Sequence, residues 1–505
     1  MDCIITLEIG TTSTKVVVFD MLGKQIASNK GAYPTFHNHT HISEQDPEQV
    51  FITALFVLKS IINNHLLSSK RKVRAIVFSS SMHSVLPVDK NGNPLGNAII
   101  WSDNRAASIA EDLKKTALGD EIYQKTGTPI HAMSPLAKIA WLRQNSKEIY
   151  GQTAKFISLK EYVLYQFTDE YFIDYSLASA TGLFNLKSKK WEEDSLKFAG
   201  ITTDQLSTPV PINFDGFKLK KTMQKSLHLD ASTKLIIGST DGCFATLSTG
   251  AMQKDDAIIS ITSGGAVRVF GKECLTNDKG TFFNYILNDD YYISGGPTSN
   301  GGLAFDWSIN NIYKNIEDDL DKVIPQLFNE LTKVQAGSNG LLFLPYLQGE
   351  RAPIWDSNAR AMFFGLNITH QPIHMIRAVL EGIIFEMFSI AKSILKHRQF
   401  NALHVNGVYA ATPLWSQIIS DVFGMPVSIS QYPLSANLGS AMLGLTVMGE
   451  YKSLQEASSI IPSPIELNPS VSKHKLYQKL FDIFESLTDK LEEEFRQIAE
   501  IQTKN

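Results

Sequence analysis

Near the start of the chain, apolar Ile5, Leu7 and Ile9 alternate with Thr6, Glu8 and Gly10, and the run Val16 to Phe19 is β-branched and aromatic. This pattern predicts a hairpin over 4–19, turning through Gly10, Thr11, Thr12, Ser13 and Thr14. A turn at Leu22-Gly23-Lys24 and the run 25–33 extend it into an antiparallel meander. Helical spacing follows: Asp46 reads as N-cap, Pro47 as the first helical residue, and Val50, Phe51, Ala54, Leu55 and Leu58 as one apolar face. A buried strand over 73–80 runs into the polar cluster Ser79-Ser80-Ser81-Met82-His83. Strand, helix and strand with polar groups at a carboxyl end predicts an α/β arrangement in which ligands gather at that edge.

The second half repeats the theme. Ile258 to Phe270 reads IISITSGGAVRVF, again two β-rich runs around small residues, with Arg268 as the counterpart of Lys15. Further strands are expected over 291–294 and 402–405, helices from Gly302 and over 373–395, and a strand–glycine–helix turn at Gly407 before Pro413. Leu476, Leu480, Phe484, Leu487, Leu491 and Phe495 form one helical stripe, expected to dock by simple packing. An internal repeat of phosphate-type hairpins is what a duplicated ATPase core requires.

With 505 residues, 43% of them hydrophobic, the chain is long enough for two or three domains. A net charge of −4, from 47 basic and 51 acidic residues, offers no excess for nucleic acid or anionic membrane, so a small-molecule partner is expected. The sequence shows no uninterrupted apolar run of membrane-spanning length and no leader pattern, and a cytoplasmic location is expected. Cys3, Cys243 and Cys274 lack metal or disulfide spacing.

Four stretches carry candidate chemistry. The small residues of the first turn, with Lys15 at its exit, suit phosphate, and Glu8 beside them suits a divalent metal between carboxylate and phosphate. Asp103 and Arg105 pair an acceptor with a donor, as polyol recognition requires, although a structural ion pair reads equally well. Asp241, in Gly238-Ser239-Thr240-Asp241-Gly242 after an apolar strand, is placed to act as a general base or simply to cap a helix. His83 reads as an edge residue or as a hydrogen-bonded core histidine.

With these pieces in order, the chain resembles the FGGY carbohydrate kinases over nearly everything up to about residue 450. The resemblance rests on LEIGTTSTK (7–15), SSSMHS (79–84), WSDNR (101–105), MSPLAKIAW (133–141), GSTDG (238–242), LPYLQGERAPIW (344–355), RAVLEGIIFEM (377–387) and ANLGSAMLG (436–444). TGTPIHAMSP (126–135), LKEY (159–162) and DYSLASATG (174–182) look like the gluconate-kinase branch. The implied fold is α/β, with two duplicated actin-like (ribonuclease H-like) ATPase domains and an interdomain cleft. The boundaries expected are 1–245 for the N-terminal domain, 246–460 for the C-terminal domain and 461–505 for a helical extension.

The implied reaction is ATP-dependent phosphorylation of D-gluconate at its 6-hydroxyl. Asp241 would be the base, and Glu8 and Asp241 would hold Mg2+. Gly10, Thr11, Thr12, Ser13 and Lys15 would line the phosphates from one side and Thr262, Ser263, Gly264 and Gly265 from the other, with Gly302, Gly407 and Ala410 beside the nucleotide. Met82, His83, Asp103 and Arg105 match sugar-side positions, to which His131 and Lys160 are added as cationic partners for a sugar acid. The expected partners are a sugar acid and ATP, with a homodimer as an option. The chain departs from the family pattern at Glu8, usually Asp, at the turn Thr262-Ser263-Gly264-Gly265, usually Gly-Thr-Ser-Gly, and at Val408, usually a second glycine. A kinase for another sugar such as D-xylulose, or a sugar-acid-binding protein with impaired ATP use, are the competing readings.

Overall fold

The computed structural model describes residues 2–38, 42–67, 69, 71–288, 291–313, 320–407, 409, 412–432 and 435–503. Contacts divide the chain into two units. One comprises Met1–Met252, Gly271–Ser294 and Leu434–Ile461; the other comprises Gln253–Phe270, Gly295–Pro433 and Pro462–Asn505.

The first unit is built on a sheet in which Lys234–Thr240, Lys72–Ser80, Asp2–Ile9, Ser13–Asp20 and Gln25–Ala32 lie side by side in that order. The predicted meander is present: Asp2–Ile9 pairs antiparallel with Ser13–Asp20, which pairs antiparallel with Gln25–Ala32. Lys72–Ser80 runs parallel to Asp2–Ile9, and Lys234–Thr240 runs parallel to Lys72–Ser80. Parallel pairing brings the carboxyl ends of these strands, with Glu8, Ser80 and Thr240, to one edge.

Both faces of the sheet are covered, which is why its central strands are apolar almost throughout. Ile5, Leu7 and Ile9 share a core with Val50, Ala54, Val57, Leu58 and Ile61 of the helix Pro47–Ile61. That helix starts where the sequence predicts, with Asp46 accepting from the N–H groups of Glu48 and Gln49. On the other face lies the helix Ser435–Val447, whose Gly444 leaves no room for a side chain against Val77 and Ile4. The segment Pro47–Leu67, 21 residues long, is apolar and long enough to cross a membrane by length and composition alone. Polar residues interrupt it, so it does not register as an unbroken apolar run.

The second unit repeats the arrangement. Gly265–Gly271, Asp256–Ile261, Ala402–Asn406, Val427–Ile429 and Ile465–Leu467 are neighbours in that order. Asp256–Ile261 pairs antiparallel with Gly265–Gly271 and parallel with Ala402–Asn406. Each unit thus contains a hairpin whose first strand also carries a parallel partner. The charges do not repeat with the backbone. Lys15 stands in the second cross-strand pair from its turn, opposite Glu8, whereas Arg268 stands in the fourth, opposite Ile258. The register counterpart of Lys15 is Ala266, and Arg268 donates instead to Ser260 at 2.8 Å.

The compact units differ from the boundaries read off the sequence. Leu434–Ile461 belongs with the first unit, because its helix covers the first sheet, and Pro462–Asn505 belongs with the second. The helix Val471–Lys490 packs through Tyr477, Leu480, Phe481 and Phe484, and Phe385 of the helix Pro372–Leu395 meets Tyr477, Phe481 and Phe484 edge-on or tilted. Of the predicted stripe Leu480, Phe484 and Phe495 are buried and Leu476 is exposed, while Tyr477 and Phe481 join the buried face. The reason is polar: Tyr477 turns inward because its hydroxyl donates to Glu381 at 2.8 Å while accepting from Arg377 at 3.1 Å.

Candidate active site

Asp241 opens the helix Asp241–Leu247 directly after the strand Lys234–Thr240. Thr240 caps that helix, its hydroxyl accepting from Cys243 N–H. The Asp241 carboxylate accepts from the N–H of Gly242 at 2.6 Å, which orients it, and it sits in the first turn, where a helix favours negative charge. The strand reaches this position through a bulge between Ile236 and Ser239. Gly238 takes the left-handed φ of 68° there, and a Cβ on it would lie 1.8 Å from the carbonyl oxygen of Phe78. Only glycine allows that approach.

Beneath this strand end lies a buried polar network that the sequence did not disclose. Lys160 donates to Asp174 at 2.7 Å and to the carbonyl of Ser239 at 3.2 Å. Asp174 accepts from the hydroxyl of Ser176, which in turn engages the Ser239 hydroxyl at 2.7 Å and the Thr240 N–H at 3.0 Å. Lys160, expected as a sugar-acid contact, is thus wholly buried support for the strand carrying Asp241, and burial lowers its pKa. DYSLASATG supplies the other half of that support.

His83 is buried, in a left-handed conformation with φ of 68°. Its Nδ1 lies 2.8 Å from the Ala180 carbonyl, which makes Nδ1 the protonated nitrogen, and its Nε2 lies 3.5 Å from the Tyr285 hydroxyl. The His83 carbonyl accepts from Lys138 at 2.6 Å, and the same ammonium reaches the Ile100 carbonyl at 2.8 Å. Ile100 also accepts from Asp103 N–H, so one buried lysine joins the His83 turn to the turn that presents Asp103. Burial pushes the Lys138 ammonium down to about 7. Lys138 belongs to the MSPLAKIAW stretch, but a lysine in a helix gives no sequence signal of total burial.

Asp103 and Arg105 form the ion pair that was one of the two sequence readings. Arg105 Nε and Nη2 donate to the two oxygens of fully buried Asp103 at 2.9 and 2.8 Å, and Nη2 also meets Glu44 at 2.5 Å. Trp141 lies against the guanidinium, 5.2 Å from ring centroid to Cζ. Arg105 Nη1 has no protein partner among the described residues. His131 is half-buried, its Nδ1 accepting from Met133 N–H at 3.2 Å at the entry to the helix Pro135–Asn145. Met82 is half-buried against the cluster of Ile173, Leu177 and Phe184.

At the first turn, Gly10 N–H closes onto Ser13 O at 3.0 Å, Tyr33 donates to Gly10 O at 2.5 Å, and Trp101 Nε1 donates to the Thr11 hydroxyl at 3.0 Å. Gln45 holds the Thr11 carbonyl. Thr12 is the exposed residue of the turn. Glu8 is buried, its Oε1 3.0 Å from Lys15 Nζ and its Oε2 2.6 Å from Nδ2 of Asn437.

In the second unit, Thr262 and Ser263 are exposed at the hairpin tip, with Gly264 and Gly265 half-buried behind them. The tip is bolted to the start of the helix Gly302–Asn311: Gly302 N–H donates to Thr262 O at 2.7 Å and Leu303 N–H to Ser263 O at 2.8 Å. Gly302, expected beside the nucleotide, is instead a buried packing glycine whose Cβ would collide with the Tyr409 ring at 2.2 Å. Gly407 has φ of 104°, and a Cβ there would lie 2.1 Å from the Ile261 carbonyl, so glycine is required. Ala410 lies outside the described residues.

Comparison with known proteins gives this geometry its context. Residues 3–248 match the N-terminal domain of the FGGY family of carbohydrate kinases and residues 260–448 match its C-terminal domain. The gluconokinase of Bacillus subtilis (strain 168) is 36% identical over 502 residues, covering 98% of this chain and 97% of that protein. The crystal structure of gluconate kinase from Lactobacillus acidophilus superposes with a TM-score of 0.91 at 32% identity, covering 97% of this chain and 98% of the other. That of ligand-bound xylulose kinase from Lactobacillus acidophilus superposes with a TM-score of 0.92 at 31% identity, covering 99% of this chain and 100% of the other. The chain has the two-domain fold of the actin-like sugar kinases and belongs to the FGGY family of carbohydrate kinases.

Proposed function

We propose that the chain transfers the γ-phosphoryl group of ATP to the 6-hydroxyl of D-gluconate in the cytoplasm, with Asp241 as general base. As a carbohydrate kinase of this family it takes its phosphoryl group from ATP. The observation that carries the choice of acceptor is the 36% identity to a protein named gluconokinase across 98% of the chain.

Asp241 accepts the proton of the attacking hydroxyl as the oxygen closes on phosphorus, and the oriented carboxylate supplies the base without reorganisation. His83 and the Asp103–Arg105 pair bind the polyol, and Arg105 Nη1 meets its carboxylate. Lys15 meets the nucleotide phosphates. Mg2+ on those phosphates would neutralise the charge that spreads over the transferred group. Asp241 would hold Mg2+ together with phosphate oxygens and water.

The test is ADP release by purified protein with Mg-ATP and D-gluconate, D-xylulose, glycerol or no sugar, with the product identified by NMR. Formation of 6-phosphogluconate at a kcat/KM well above that for other acceptors supports the reading. Preferential turnover of D-xylulose overturns the acceptor, and a likeness to a xylulose kinase structure at 31% identity makes it the second reading. Gluconate binding without turnover would favour a binding protein.

A further inference from the structure

Thr6 and Glu8 project from the same face of the strand Asp2–Ile9, since strand side chains repeat every two residues, and Asn437 stands over both. Thr6 Oγ1 donates to Asn437 Oδ1 at 2.8 Å, and Asn437 Nδ2 donates to Glu8 Oε2 at 2.6 Å. The carboxylate only accepts, so it fixes which end of the amide faces it, and the Thr6 hydroxyl, which also lies 3.3 Å from the Val17 carbonyl, completes the other end. Glu8 Oε1 accepts from Lys15 Nζ at 3.0 Å. Thr6 and Asn437 are 0% exposed, whereas the Lys15 side chain is 36% exposed. The remaining donors of Lys15 have no protein partner among the described residues.

This arrangement fits a metal ligand poorly. A divalent cation on Oε1 would stand beside the Lys15 ammonium, and ligation through Oε2 would displace a short bond from a fully buried amide. The carboxylate is already neutralised by one cation and oriented by one fixed donor. We propose that Glu8 and Asn437 are positioning residues: Asn437 fixes Glu8, Glu8 aims the Lys15 ammonium toward the Gly10–Ser13 turn, and Lys15 rather than Glu8 meets the anionic phosphates of a nucleotide. The proposal rests on the ATP-dependent reading above but not on the choice of sugar. It also accounts for the longer side chain at position 8, because an aspartate is one carbon too short to hold Lys15 and Asn437 together.

The experiment is calorimetric titration of the full chain with ADP and no sugar, once in EDTA and once with Mg2+. It compares the unmodified protein with Glu8→Gln, Lys15→Met, Asn437→Ala and the pairwise doubles. Each single change is expected to weaken ADP binding by roughly tenfold, by the same factor with and without Mg2+. The doubles are expected to bind no more weakly than Lys15→Met alone. If Asn437→Ala does not fold, the Glu8→Gln and Lys15→Met pair, at positions of a near-isosteric change and a partly exposed side chain, carries the same cycle. Loss of the Mg2+ enhancement in Glu8→Gln with intact binding in EDTA would make Glu8 a metal ligand and overturn the proposal. ADP binding indifferent to Lys15→Met, or additive doubles, would also overturn it. Failure of the unmodified protein to bind ADP would overturn both this proposal and the ATP reading. A different preferred sugar would leave these values untouched.

Discussion

The ammonium of Lys138 lies 2.6 Å from the carbonyl oxygen of His83, inside a helix face with no exposure to solvent. Its pKa falls from 10.5 to about 7, so between these values the unfolded chain holds a proton that the native protein has released. Stability therefore rises with pH across that window because of Lys138, and its penalty is fully present below pH about 7. Lys138→Met should remove this rise, measured as urea midpoints between pH 6.5 and 10. A rise of unchanged slope in the variant would place its origin elsewhere.

Asp241→Asn keeps the size of the side chain and removes the base. We expect kcat to fall by about 10²–10⁴ while the dissociation constant for D-gluconate stays within about threefold. Single-turnover kinetics with calorimetry separates the two quantities, and near-normal kcat would exclude Asp241 as the base.

Lys160→Met should act on folding rather than on sugar binding. Removing one partner of a buried ion pair strands the other, Asp174, at a cost of about 3–5 kcal/mol. Thermal unfolding should report this as a large drop in Tm. A protein of normal Tm that has lost gluconate affinity would restore Lys160 to the sugar site.

Gly238→Ala combines a left-handed φ of 68° with a Cβ 1.8 Å from the Phe78 carbonyl. The strain alone is worth about 1–2 kcal/mol, and the backbone must also shift three residues before Asp241. The expected outcome is lower stability and lower kcat together. Unaltered activity would show that the bulge does not set the position of the carboxylate.

Much of this fold was legible locally. Alternation and turn residues marked both hairpins, and Asp46-Pro47 marked the first helix, because these signals lie within a few residues of one another. The partners of the polar groups were not legible, since they depend on segments far apart in sequence. Nothing near Lys138 or Lys160 says that one meets two carbonyls and the other a carboxylate; Asp174 decides it by arriving beside Lys160. Asn437 is 429 residues from Glu8. The apparent match of Arg268 to Lys15 failed for a related reason, because register along a hairpin, rather than the presence of a basic residue, decides what a side chain faces.

The helix Ser435–Val447, near the end of the chain, supplies one covering of the sheet that begins at Asp2. During synthesis that sheet must wait, one face bare, while most of the polypeptide is still being made. Chains cut short before residue 435 would keep every residue of the Asp241 network yet lack Asn437 and the cover over Ile4 and Val77. Such fragments would leave apolar side chains of the first sheet uncovered, so the stability of the first unit depends on a segment more than 400 residues away in sequence.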